Sequence, residues 1–282
     1  MKNKILYIPI LALLMFSACT KVVNINLNTA NKQLVIDGQV SDRPGIPDTV
    51  KLSETISFFA SNSYPTISGA RVVISDNTGI SDTLKELLPA MPGTYITSPL
   101  RLQGTPGRTY TLSVYTKAIN AAGQNYTASS TMPDSTKIDS LGQTESLRMR
   151  FRPGGNPLDT TYNVTVHWRA PSSMAYYRLN LYYDDTMLNG NGINIINNKY
   201  SEGLEMDVLY RGHAFKPGDT AQVELWCIDQ NTYNYYNMLN SIINGNNGTS
   251  SENPTNPLSN VSTGAVGYFS AYSVTSLTYK IK

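Results

Sequence analysis

The sequence predicts an all-β protein: two β-sandwich modules, with one short helix in the second. Three observations predict it. Short runs alternate apolar and polar residues, and each closes on a turn rich in Gly, Pro, Asn or Asp. Tyr accounts for 19 of the 282 residues, among many Thr, Ser and Asn, and only 15% of the chain is charged. That composition suits pleated strands with one face buried. Only 231–244 carries apolar residues at helical spacing. The length accommodates two medium domains with proper cores.

In chain order, Lys2 and Lys4 give a positive start, and an apolar run from Ile5 to Phe16 is broken only by Pro9. Small Ser17 and Ala18 follow. This is the layout of a secretory signal peptide over residues 1–18. The run is shorter than the ~20 apolar residues that span a bilayer. Ser17-Ala18-Cys19 resembles the lipobox of bacterial lipoproteins, although Phe16 stands where Leu is commoner. The resemblance implies cleavage before Cys19, lipidation of Cys19 and attachment to a membrane through that lipid. Residues 19–31 then form a lipidated tether, 32–132 the first sandwich and 133–282 the second.

Within the first sandwich, strands are expected at 33–40, 49–58, 70–76, 94–97, 108–116 and 124–132. The cleanest, RTYTLSVYT, points Tyr110, Leu112 and Val114 inward and Thr111, Ser113 and Tyr115 outward. The order GQVSD, ISGARVVISDNTG, PGTYIT and GTPGRTYTLSV resembles carboxypeptidase-regulatory-like and other immunoglobulin-like modules, which are binding or spacer units. Gly69 allows a tight strand entry there and Gly93 a turn before Tyr95 packs inward.

A polar joint at 131–142 separates the modules. LRMRFRPGG opens the second. TYNVTVHWRAP sets Tyr162, Val164, Val166 and Trp168 on one face. AYYRLNLYYDD sets Tyr177, Leu179, Leu181 and Tyr183 inward. Trp, then Ala-Pro, then Tyr on the next strand resembles a fibronectin type III core. LEMDVLY and AQVELWCID read as two more strands with RGHAFKPGDT between them. The helix over 231–244 is capped by Asp229 or Asn231, ended by Gly245, and faces the core through Tyr235, Met238, Leu239 and Ile242. A terminal strand region spans 261–281, where glycine allows close backbone approach.

LVIDGQVSD, IDSL at the joint, YYRLNLYY, the Tyr-rich helix and NPLSNVSTGAVGYFSAYSV together resemble DUF4249, a Bacteroidota lipoprotein family of unknown function. The resemblance covers nearly the whole mature chain. It implies an outer-membrane lipoprotein encoded beside TonB-dependent receptors, a receptor partner, and no catalytic residues to carry over.

Charge narrows the partners further. Cleavage before Cys19 removes Lys2 and Lys4, so 22 basic residues fall to 20 against 20 acidic ones. A neutral chain offers no basic surface for nucleic acid and no polybasic stretch for anionic lipid. With Cys19 acylated, Cys227 has no disulfide partner and reads as a small buried hydrophobe.

The search for chemistry returns little. His167 lies on an outward strand face and His213 in a turn-rich loop, and no nucleophile elbow accompanies either. Two scattered His and one Cys fall short of a zinc set. No phosphate loop or dinucleotide motif occurs, so no cofactor is expected. Asp184 and Asp185 could give oxygens to calcium, but the bland reading is a strand end in solvent. The tyrosines Tyr115, Tyr176, Tyr182, Tyr233 and Tyr236 are read as exposed. Such rings serve sheet structure or stack on sugars and protein partners.

Three functions are weighed. The first is a non-enzymatic accessory of a TonB-dependent nutrient receptor, using the Asn/Gly-rich segments 189–198 and 244–260 as contact loops. The second is a standalone glycan- or matrix-binding adhesin, and the third, ranked last, is a hydrolase. The expected location is the outer membrane, with the periplasmic or extracellular face open.

Overall fold

Alternation decides which side of each strand meets a core, and in this chain it turns one face of a large sheet to two cores. The computed structural model describes residues 31–56, 64–98, 100–146, 160–188, 192–245 and 256–282. The signal peptide, Cys19, all of the tether but its last residue, and the strand expected at LRMRFRPGG lie outside them.

The strands are Leu34–Ser41 (β1), Thr49–Glu54 (β2), Arg71–Asp76 (β3), Ser81–Thr83 (β4), Lys85–Leu87 (β5), Met91–Ile96 (β6), Thr109–Thr116 (β7) and Gln124–Thr131 (β8). They continue with Ser140–Ser146 (β9), Thr161–Arg169 (β10), Tyr176–Tyr183 (β11), Thr186–Met187 (β12), Asn194–Asn197 (β13), Glu205–Phe215 (β14) and Thr220–Ile228 (β15). One helix, Gln230–Gly245 (α1), precedes the last strand, Ala265–Lys280 (β16). The protein is all-β with a single short helix, as the sequence predicts. The short strands β4, β5, β12 and β13 carry too few alternating residues to be read from sequence. β9 starts at the end of the polar stretch 131–142 and runs on to Ser146. β14 is one strand running through Tyr210–Phe215, so His213 sits in a strand and not in a loop.

A nine-stranded sheet has the order β12-β11-β15-β16-β1-β2-β6-β5, with β13 also paired to β11. Its centre is the 16-residue β16. The first half of β16 runs parallel to β1, Leu34 opposite Ala265 through Ser41 opposite Tyr272. Its second half runs antiparallel to β15, Cys227 opposite Ser273 through Thr220 opposite Lys280. At the parallel pairing Gly267 has φ +107, and a Cβ there would lie 1.9 Å from the Ile36 carbonyl oxygen. Only glycine admits that approach.

One face of this sheet carries both cores. At one end Leu34, Ile36, Val50, Leu52 and Phe269 pack against Val72, Ile74, Leu112 and Val114 of the sheet β4-β3-β7-β8. At the other end Tyr177, Leu179, Leu181, Val223, Leu225 and Cys227 pack against Val164, Val166 and Trp168 of the sheet β14-β10-β9. Each end is thus a sandwich of two sheets over an apolar layer. The stretch 131–142 runs from one cluster to the other, with Met132 in the first and Leu141 in the second, while Val261, Phe269 and Ala271 return to the first. The nine-stranded sheet runs through both, and Lys32–Lys282 form one compact unit. Inward Tyr110, Leu112 and Val114, and Val164, Val166 and Trp168, are fully buried as their alternation requires. Among the described residues no helix is long and apolar enough to cross a membrane.

Candidate functional site

The opposite face of the nine-stranded sheet is where polar side chains converge. The even positions of β11 are Tyr176, Arg178, Asn180 and Tyr182, and those of β15 are Gln222, Glu224, Trp226 and Ile228. Register places Arg178 opposite Trp226, Asn180 opposite Glu224 and Tyr182 opposite Gln222. β16 adds Tyr268, Tyr272 and Val274, with Val274 opposite Trp226. Helix α1 lies over part of this face, burying Tyr236 against Trp226, Ile228, Tyr268 and Tyr272.

The helix is held there from its first turn. Asp229 caps it, its Oδ1 accepting from the Thr232 amide at 2.7 Å, while its other oxygen accepts from Ser130 Oγ at 2.5 Å. That serine oxygen in turn accepts from the Ala271 amide at 2.8 Å. The cap therefore ties α1 to β8 and β16 as well as satisfying its own orphan amide.

Trp226 is the centre. Tyr272 stacks on it at 4.0 Å with an interplanar angle of 11°. The Arg178 guanidinium carbon sits 4.9 Å from the Trp226 ring centre and 4.8 Å from that of Tyr236. Arg43, just after β1, lies 5.3 Å from the same indole. Each such cation–π contact contributes about 0.5–2 kcal/mol when partly desolvated. One carboxylate oxygen, Glu224 Oε2, accepts from Arg43 Nη2 at 2.5 Å, from Trp226 Nε1 at 2.8 Å and from the Tyr182 hydroxyl at 2.9 Å. Arg178 donates through Nε to Asn180 Oδ1 at 3.0 Å and through Nη1 to the Tyr236 hydroxyl at 2.8 Å. The Tyr236 hydroxyl in turn donates a hydrogen bond to the Tyr268 oxygen at 2.7 Å.

Burial, then the Glu224 charge, pushes the Tyr182 hydroxyl up to about 12. Burial, then Asp37, pushes Tyr235 up to about 12 as well. Tyr236, Tyr268 and Tyr272 are raised mainly by burial. These phenols stay protonated at neutral pH, so they donate hydrogen bonds and do not act as bases.

Two clefts open beside the helix. One, of about 300 Å³, is bounded by Arg178, Asn180, Met187, Leu188, Ile193 and Ile243, among others. The other, of about 330 Å³, is lined by Ser129, Asn231, Asn234, Leu258, Ser259 and Asn260. The first is mixed in character, and the second is mainly amide and hydroxyl, with Leu258 its one apolar side chain.

The family described as Domain of unknown function (DUF4249) matches residues 20–278. This chain belongs to that family. A comparison with curated proteins finds no match to the DUF4249 chain. Among solved structures, the chicken interferon gamma receptor alpha chain is similar over 70% of this chain and 90% of that chain. The identity is 8% and the TM-score 0.21, too distant to transfer anything of function.

Of the residues read from sequence, Tyr176, Tyr182, Tyr233 and Tyr236 all fall on this one face of the DUF4249 sheet. They are not free rings. Tyr236 is buried at 3% exposure, because its hydroxyl bridges Arg178 and Tyr268. Tyr176 and Tyr233 lean on each other with ring centres 5.0 Å apart, and the Tyr233 oxygen accepts from Asn197 Nδ2 at 2.9 Å. Tyr115 is exposed on β7, far along the other sandwich. Cys19 and segments 189–191 and 246–255 lie outside the described residues.

The other candidates resolve into structural roles. His167 is bound through Nδ1 to Asp207 on the outer face of β10–β14. The His213 ring stacks on Tyr183 and meets Phe215 edge-on. Asp184 and Asp185 have φ of 47° and 58° between paired Tyr183 and Thr186. They are the two central residues of a hairpin turn that requires positive φ at both. Cys227 is buried and free, receives the Thr136 amide at 3.3 Å, and has its thiol pushed up by burial.

Sequence reading missed Arg43, Arg178, Asn180, Glu224 and Trp226. A signal existed. Arg178 and Glu224 are charges in the middle of strands that are otherwise apolar and aromatic, and such charges need partners when buried.

Proposed function

We propose that this protein is a lipid-anchored, non-enzymatic binding component of the outer membrane, acting as the accessory of a TonB-dependent nutrient receptor. One observation carries the binding half of that reading. The recognition-type side chains, Arg, Trp, Tyr and Asn, converge on one face with two clefts, while His167, His213 and Cys227 are each committed to a structural partner. A face organised by stacked aromatics and arginines, bordered by small clefts, is built to hold a ligand or a partner side chain. The N-terminal signal ending at Cys19 supports the address. Family membership over 20–278 supports the likeness on which the receptor partner rests.

A tagged full-length protein, purified from native membranes in mild detergent, tests the reading. Recovery of an outer-membrane receptor is the expected result. A second reading, a standalone glycan- or matrix-binding adhesin, is favoured by the amide- and hydroxyl-lined cleft at Asn231, Asn234 and Asn260. Capture of polysaccharide with no receptor would replace the first reading with the second.

A further inference from the structure

The cleft beside Arg178 has features that the rest of the face lacks. Asn180 is 5% exposed, and its Nδ2 has no hydrogen-bond partner. The orientation of that amide is not arbitrary. Arg178 Nε is an obligate donor, so the oxygen of Asn180 must face it at 3.0 Å, leaving the NH₂ as the unsatisfied end. An unpaired buried donor costs about 1–3 kcal/mol, which a ligand acceptor would recover.

Arg178 is itself incompletely answered. Among the described residues it makes no ion pair, and the nearby Glu224 is engaged by Arg43. Its charge meets two ring faces and two neutral oxygens, and Nη2 has no partner among the described residues. None of the described residues lining the cleft is acidic. The remaining wall is mostly apolar, from Met187, Leu188, Ile193 and Ile243, with Asn194 and Tyr210 bonded to each other beside them. The cleft sits in the notch between β12 and β13, which pair different stretches of β11, Tyr182–Tyr183 and Tyr176–Leu179. Asn180 lies on the strand between them. Its volume of about 300 Å³ equals roughly ten water molecules and stands at the small end of ligand pockets.

We propose that this notch binds a short aliphatic carboxylate through the Arg178 guanidinium, with the chain against Leu188, Ile193 and Ile243, and that the bound carboxylate draws out Asn180 Nδ2, which is covered in this structure, as a second donor. Arg178 brings charge and a planar fork of donors, and Asn180 a second donor once its side chain shifts toward the cleft. The site stands whether or not the receptor partnership holds, since it is a property of this chain's own sheet.

Titration of the detergent-purified full chain with hexanoate and with hexanamide, followed by calorimetry, tests it. Saturable hexanoate binding at least tenfold tighter than hexanamide is expected. R178Q should lose at least tenfold in hexanoate affinity. Because Arg178 also packs on Trp226, a second variant avoids the stack. I243W fills the cleft from an exposed helix position (52% exposed) and should abolish binding with an unchanged melting temperature. No saturable binding of hexanoate to the folded wild-type chain would overturn the proposal. Equal binding of acid and amide would do the same, as would full affinity in I243W.

Discussion

Asp48 is a carboxylate that the fold holds against its preference. It is 6% exposed, and its Oδ1 accepts from the Ser41 amide at 2.7 Å and the Ser41 hydroxyl at 3.0 Å. Burial outweighs those donors and pushes its acid group up to about 7 from an ordinary 3.8. The folded state therefore binds this proton more tightly than the unfolded chain does. The stability tied to Asp48 is fully present below pH 3.8, declines as pH rises to about 7, and then levels off. The total loss is on the order of 4 kcal/mol. Asp48→Asn keeps an acceptor for Ser41 and removes the titration. Urea midpoints at pH 5 and pH 8 should fall between those values in the wild type and change little in the variant. Equal slopes in both would assign the titration elsewhere. Cys227 makes the complementary case of a buried neutral group. Its thiol should resist alkylation until the chain unfolds, and Cys227→Ser should lower stability by about 1–3 kcal/mol, read from denaturant midpoints. The shorter C–O bond draws the acceptor away from the Thr136 amide. Rapid labelling of native protein would contradict the burial.

Helix α1 shows where element-level reading succeeds and where it slips. Spacing predicts 231–244, and the helix runs from Gln230 to Gly245 with Asp229 as its cap. The predicted core stripe was Tyr235, Met238, Leu239 and Ile242. The most buried side is centred instead on Thr232 and Tyr236, with Tyr233, Tyr235, Met238, Leu239 and Ile242 all partly covered. Apolarity ranks Met238 and Ile242 above Tyr236, but the sheet beneath offers Arg178 and Tyr268 as partners for a phenol. Tyr236→Phe, which removes that hydroxyl alone, should destabilise by about 1–2 kcal/mol. Asn237→Asp, on the exposed side, should stay within about 0.5 kcal/mol. Thermal melts compare them, and equal effects would refute this phase. In β16, Gly267→Ala must push a methyl into the Ile36 carbonyl. It should cost more than about 3 kcal/mol by breaking the parallel pairing that joins β1 to β16, or prevent folding altogether.

Across the whole molecule, the two sandwich cores share β16 and therefore share a fate. Leu112 lies in one core and Leu225 in the other. Leu112→Ala and Leu225→Ala should each lower the same single melting transition, by about 2–5 kcal/mol apiece. Calorimetric and van't Hoff enthalpies should agree. Two separate transitions, each sensitive to one variant, would show that the shared strand does not couple the cores. At the membrane, Cys19→Ala should release the protein from the detergent phase or stop its processing. A wild-type protein that is soluble, with an unmodified Cys19 thiol, would end the lipoprotein proposal.

What could be read from the chain alone was whatever depends on near neighbours. Period-2 alternation located β2, β7, β10 and β11 and named most of their buried residues, because successive side chains on a strand point to opposite faces whatever lies across from them, and apolar runs closed by turns located β1, β3 and β15. Helical spacing, a capping Asp and a closing Gly located α1. Strand partners were beyond such reading. Nothing local to Leu34 or Ala265 says that they meet in a parallel pair, or that the joint at 131–142 lies beside a sheet common to both halves. The candidate site belongs to that second kind. Arg43, Arg178, Glu224, Trp226, Tyr236 and Tyr272 come from four strands or their ends and a helix, and register is what brings them within hydrogen-bonding and stacking reach. Their sequence trace is only a charge in an apolar strand. The tertiary fold turns that trace into a ligand-sized notch, because it alone decides which buried polar atoms find partners and which, like Asn180 Nδ2, do not.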